Sequence, residues 1–136
     1  MQILGPICFL LLIIAISTII VSAQDTNYIN QVVNSIYLAE GGIKAKYPFG
    51  ILHVTNINTA RNICFNTVTK HYKYWHMDMT GEDFITYLSH VYAPTIRVPE
   101  AEANLNKNWP TNVKFFMKKN LTNWNAVLTY ERNRAK

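Results

Sequence analysis

Residues 58–75, NTARNICFNTVTKHYKYW, decide the fold class. Ala60, Ile63, Cys64, Thr67, Val68, His71, Tyr72 and Trp75 recur at spacings of three and four, the repeat of one helical face. A second helix of this kind needs partners, and the flanking sequence supplies them. Upstream, Asp25, Thr26 and Asn27 offer capping side chains before an apolar series at Ile29, Val32, Val33 and Ile36. Gly41-Gly42 is the stop signal of that first helix. Residues 43–48 read as loop, and Phe49–Thr55 as one short strand or an extended segment. Downstream, Thr80-Gly-Glu-Asp83 resembles a capping box opening a third helix, with Phe84, Tyr87, Leu88, Val91 and Tyr92 as its stripe and Pro94 as its end. Residues 93–104 read as a connection. Asn108 and Pro110 start a fourth helix with Val113, Phe116 and Met117 inward, and Trp124, Val127, Leu128 and Glu131 give a weaker helical pattern. The expected class is mainly α, with at most one short β element.

The rest of the chain bounds the size and setting of this domain. The 13 basic and 8 acidic residues among 136 all lie from Asp25 onward. Before them, Ile7 to Val21 is apolar except for Ser17 and Thr18, and Val21-Ser22-Ala23 fits signal-peptidase cleavage after Ala23. Residues 1–23 are therefore read as a signal peptide, with an uncleaved N-terminal membrane anchor as the alternative. Both place residues 24–136, one domain, outside the cytosol, so the expected location is the periplasm or cell envelope, or secretion. A hydrophobic fraction of 49% with 12% aromatic residues is enough to fill a core and argues against disorder. Cys8 lies in the leader, leaving Cys64 without a disulfide partner in the domain.

Glu40 is the residue that requires an explanation. It follows Ile36, Val33 and Ile29 by 4, 7 and 11 residues, so it shares their buried face. A carboxyl group on an apolar face is costly unless paired or protonated, and no Lys or Arg precedes Lys44. Desolvation raises a carboxyl pKa and prepares it to donate a proton near neutral pH. The alternative is a carboxylate at a frayed helix end, turned to water past Gly41.

The string Ala39-Glu40-Gly41-Gly42, followed by Tyr47-Pro48-Phe49-Gly50-Ile51-Leu52-His53, resembles the lysozyme-like soluble lytic transglycosylases. Thr59-Ala60-Arg61, the stretch Tyr87 to Pro94 and Leu105-Asn106-Lys107-Asn108-Trp109 extend the likeness to small exported members over about residues 28–120. The resemblance implies a small lysozyme-like helical domain that cleaves the MurNAc-GlcNAc β-1,4 bond of peptidoglycan. It implies Glu40 as a single acid and then base, with Tyr92 orienting it. It also implies a glycan groove along Tyr47, Phe49, Gly50, Ile51, Leu52 and His53, where exposed Tyr47 and Phe49 stack on sugar rings over a floor of Ile51 and Leu52. Glycosidases commonly use a second carboxylate, but residues 43–58 contain none and the next acid is Asp78. A transglycosylase needs only one. The chain departs from the family in having Gly41 where Ser is common, His53 where Gln is common, and Tyr92-Ala93-Pro94 in place of the Ala-Tyr-Asn-Ala-Gly string. A catalytically weak or inactive domain that binds wall glycan or a secretion-system partner is the alternative.

Other chemistries find less support. His71 and His76 are five apart, off the four-residue zinc spacing, and His53 and His90 bring no carboxylate cluster, so no metal site is expected. There is no glycine-rich phosphate loop, so no nucleotide cofactor is expected. The net charge of +5 suits an anionic partner. Lys70, Lys73, Tyr74 and Trp75 mix bases with aromatics, yet export argues for anionic wall polymers over nucleic acid.

Overall fold

A computed structural model describes residues 22–136; the expectations for Cys8 and for the apolar run up to Val21 lie outside the described residues. The chain forms α1 (Ala23–Ala39), α2 (Ile57–Asp78), α3 (Phe84–Tyr92), α4 (Glu100–Asn106), α5 (Trp109–Met117) and α6 (Trp124–Arg134). Short 3-10 turns at Gly42–Lys44 and Pro48–Gly50 join α1 to α2. The domain is mainly helical, and no strand occurs among the described residues.

α1 is the central element. Every residue from Val32 to Leu38 is buried, so the helix is covered on all sides rather than along one stripe. It packs chiefly on α5 and α2. Two of its polar side chains donate to carbonyls at and just past the end of α5: Gln31 Nε2 to Met117 O at 2.7 Å and Asn34 Nδ2 to Leu121 O at 2.8 Å, while Asn34 Oδ1 has no partner among the described residues. Leaving such amides unpaired in a core would cost about 1–3 kcal/mol each, so these bonds also fix the register of α5 on α1. The helix starts at least three residues earlier than the sequence suggests. Ser22, not Asp25, is the cap, and Asp25 completes the capping box from the third helical position. The cleavage expected after Ala23 falls within this first turn.

α2 buries a narrower stripe than its periodicity predicts. Ala60, Cys64 and Val68 are fully buried, while Ile63 is 40% exposed because no element covers that flank. Asn56 caps the helix by accepting from Thr59 N. Asp83 caps α3, accepting from Thr86 N, and Phe84, Ile85 and Leu88 face inward. The stretch read as a connection runs into α4, which buries none of its residues and so leaves no apolar period. The segment Phe49–Thr55 is not a strand. Phe49 takes φ 61° and packs its ring against Tyr37 and Trp124, with centroids 5.1 Å and 6.1 Å away.

Candidate active site around Glu40

Glu40 directly succeeds the last residue of α1 and closes that helix, its N–H bonding back to Ile36 O at 2.9 Å. It is half-buried, with its side chain turned toward the start of α5 and the Pro48–Gly50 turn. The indole of Trp109 donates from Nε1 to Glu40 Oε1 at 2.7 Å. No hydrogen bond reaches Oε2 among the described residues. Burial raises the Glu40 pKa above the ordinary carboxyl value, and the Trp109 bond offsets part of the rise by stabilising the charged form.

Gly50 makes this arrangement possible. A Cβ built on Gly50 would stand 2.7 Å from Glu40 Oε2 and 2.8 Å from Cδ, inside any real contact. Its φ of 69° is also one that L side chains rarely adopt. The carboxylate therefore lies directly on exposed backbone.

Trp109 is the partner that sequence reasoning missed. It is the first residue of α5, with Pro110 after it, and only 7% exposed. Tyr92, expected to orient Glu40 by hydrogen bonding, instead stacks on the Trp109 ring, with centroids 5.3 Å apart and planes at 20°. Burial, the neighbouring Cys64 and the nearby Glu40 charge all raise the pKa of the Tyr92 hydroxyl. Burial pushes the Cys64 thiol up to about 12, so it stays a neutral thiol in the core.

The expected sugar groove is only partly assembled. Gly50 touches Glu40, and Ile51 is partly buried against the core. Phe49 is not an exposed stacking platform: it is fully buried, because Tyr37 and Trp124 form an aromatic box around it. Leu52 is not floor either; it is 68% exposed. His53 is exposed, with its ring 5.9 Å from that of half-buried Tyr47. These two form an edge, with Lys46 Nζ 5.1 Å from the Tyr47 ring centre. Among the described residues, no group of three His, Cys, Asp or Glu side chains could hold a metal ion.

A second carboxylate lies on a glycine beyond the end of α1. Glu131 of α6 accepts from Tyr37 Oη at 2.8 Å and from Ile43 N at 3.0 Å. A Cβ on Gly42 would fall 1.9 Å from its Oε1, so Gly42 is required for this contact. Both oxygens of Glu131 are engaged, and it ties α6 to the turn that carries the chain away from Glu40. Compared with protein families, curated proteins and solved structures, the chain gives no match.

Proposed function

We propose that this protein is an exported peptidoglycan-cleaving lytic transglycosylase with Glu40 as its single acid and base. One observation carries the reading: a half-buried carboxyl group with raised proton affinity, held through Oε1 by Trp109 and with Oε2 unbonded over the exposed Gly50 backbone. A group placed this way keeps its proton to a higher pH than an ordinary carboxyl and can present it to a ligand lying on Gly50. In the reaction, Glu40 gives its proton to the glycosidic oxygen as the C1–O bond of MurNAc breaks. The N-acetyl oxygen of the same sugar stabilises the electron-poor C1. The Glu40 carboxylate then takes the proton of the C6 hydroxyl as that oxygen bonds to C1. Glu40 ends protonated again, and the product is a 1,6-anhydromuramyl end. No second protein carboxylate is needed.

The burial of Phe49 favours the other reading, a weak or inactive domain that holds wall glycan or a secretion partner, since it removes one expected sugar platform. Incubating the protein with purified sacculi and weighing the released muropeptides separates the two. Products lighter by one water than the hydrolytic ones, absent with Glu40→Gln, support the transglycosylase. Intact sacculi with bound protein support the binding domain.

A further inference from the structure

The end of the domain opposite Glu40 carries an apolar tip that the proposed chemistry does not use. α1 and α2 run antiparallel: Tyr72 Oη donates to Asp25 Oδ1 at 3.0 Å, and Arg61 Nη2 to Asn30 Oδ1 at 3.2 Å. α2 continues six residues past Tyr72, roughly 9 Å of helix, whereas α1 begins only two residues before Asp25. α2 therefore overshoots the start of α1, in the direction from which the chain enters. On the overshoot Tyr74 is 41% exposed, Met77 58% and Met79 87%. Trp75 is shared by two surface cavities. One, of about 400 Å³, is walled by Trp75, Met79 and Gly81; the other, of about 220 Å³, by Trp75, Tyr28 and Gln24. The indole N–H of Trp75 is already satisfied by Glu82 O at 2.8 Å, and its ring packs beside Tyr72, His76 and Phe84, so only part of it reaches the surface.

The acids at this end have partners within the domain, but only Asp83 is matched by a lysine, so Asp78 and Glu82 keep their negative charge. Asp83 pairs with Lys114 at 2.9 Å, Glu82 with His90 at 3.1 Å, and Asp78 accepts from Tyr87 Oη at 2.6 Å. Lys70 and Lys73 flank the tip on α2, with Lys70 Nζ 5.7 Å from the Tyr74 ring centre.

The sequence just upstream suggests an occupant for this tip. The apolar run Ile7–Val21 ends one residue before Ser22, and Ser22 is already part of the fold. Its Oγ accepts from Asp25 N at 3.1 Å while Asp25 Oδ2 accepts from Ser22 N at 3.0 Å. The same Asp25 holds Tyr72 of α2. A cut after Ala23 would remove the cap that links α1 to the tip. We propose that the Ile7–Val21 run is retained as a membrane anchor, and that Tyr74, Trp75, Met77 and Met79 rest on the bilayer surface beside it. With only Ser22 between an apolar run and the first helical residue there is no linker, so this end of the domain is held at the lipid headgroups. Tyr and Trp favour that layer, and flexible Met side chains adapt to it. The inference is independent of the glycosidase reading.

The test uses the full chain expressed in bacteria and then reconstituted in vesicles of phosphatidylcholine and phosphatidylglycerol. Intact mass of the protein recovered from membranes is expected to include residues 1–23; their loss overturns the anchor. For the tip, Met77→Cys in a Cys8→Ser background carries an environment-sensitive fluorophore, with Leu52→Cys labelled as the control at the Glu40 end. The Met77 probe is expected to shift to the blue and to be quenched by lipids brominated on their acyl chains, with the Leu52 probe unchanged. Water-like emission at position 77 with the anchor inserted overturns the tip contact. A blue shift without lipid quenching, meaning cover by the apolar segment or by a second copy, overturns it too, as does equal quenching at both sites.

Discussion

Trp109→Phe isolates one hydrogen bond at Glu40. The substitution removes the indole N–H that reaches Oε1 at 2.7 Å and keeps an aromatic ring for Tyr92 to stack on. A hydrogen bond to a charged group contributes about 1.5–3 kcal/mol, and the half-buried position of Glu40 argues for the lower end. That stabilisation acts on the carboxylate and not on the neutral acid. Its loss raises the Glu40 pKa further, in the same direction as burial. The packing loss stays below the ~3–5 kcal/mol of a full truncation to Ala, since most of the ring volume is kept. The assay is the rate of sacculus clearing across pH, with circular dichroism confirming the fold at each point. As the acid form persists to higher pH, the basic limb of the profile moves upward. A limb that stays in place or moves to lower pH, in a folded variant, refutes the assignment of Trp109 as the residue that tunes Glu40.

The same geometry fixes three further outcomes. Glu40→Gln melts higher than the wild-type protein at pH 8, because a group with a raised folded-state pKa contributes stability at low pH and loses it as pH rises through that value. The gap closes on acidification below the ordinary glutamate value of 4.5, and thermal denaturation showing it widen there contradicts the burial argument. Phe49→Ala loses about 3–5 kcal/mol in denaturant unfolding, while Tyr47→Ala, half-exposed, loses under about 1 kcal/mol and weakens chitooligosaccharide binding; the reverse ranking returns Phe49 to the groove. Glu131→Ala costs about 1–3 kcal/mol, since Tyr37 and Ile43 N lose their acceptor, and leaves clearing rates well below the melting temperature unchanged.

The helices are legible because burial on one side writes a 3.6-residue period into the sequence, as at Ala60, Cys64 and Val68 of α2. Where burial is absent the signal is absent: α4 buries nothing and reads as a connection. Caps are harder to place to within a few residues because several polar side chains compete for the same N–H groups, and Ser22 with Asp25 satisfies two at once. Phe49 misleads for a different reason. Its neighbours Pro48 and Gly50 mark a turn, and turns are usually surface features, but Tyr37 and Trp124 enclose its ring. Trp109 stands 69 residues from Glu40, beyond any local pattern. A signal is nevertheless there, in two unmet demands. A buried indole N–H needs an acceptor and a carboxyl on an apolar face needs a donor.

Glu40 and Glu131 show why burial beside a glycine does not by itself make a catalytic acid. Each carboxylate occupies the space that a Cβ on Gly50 or on Gly42 would fill, and each lies near the end of α1. Glu131 spends both oxygens on the protein, one on Tyr37 Oη and one on Ile43 N. Neither oxygen is left to face a ligand, so the group serves as a clasp between α6 and the turn after α1. Glu40 has one donor, on one oxygen, in a setting where desolvation outweighs it. The other oxygen points over backbone that carries no side chain to shield it. A proton held there has somewhere to go, and after it leaves the Trp109 N–H steadies the charge that remains. Under the proposed function, the difference between the structural and the reactive carboxyl is thus one hydrogen bond, and it depends on the glycine turn against which each group rests: an anchored one at Gly42, and an open one at Gly50.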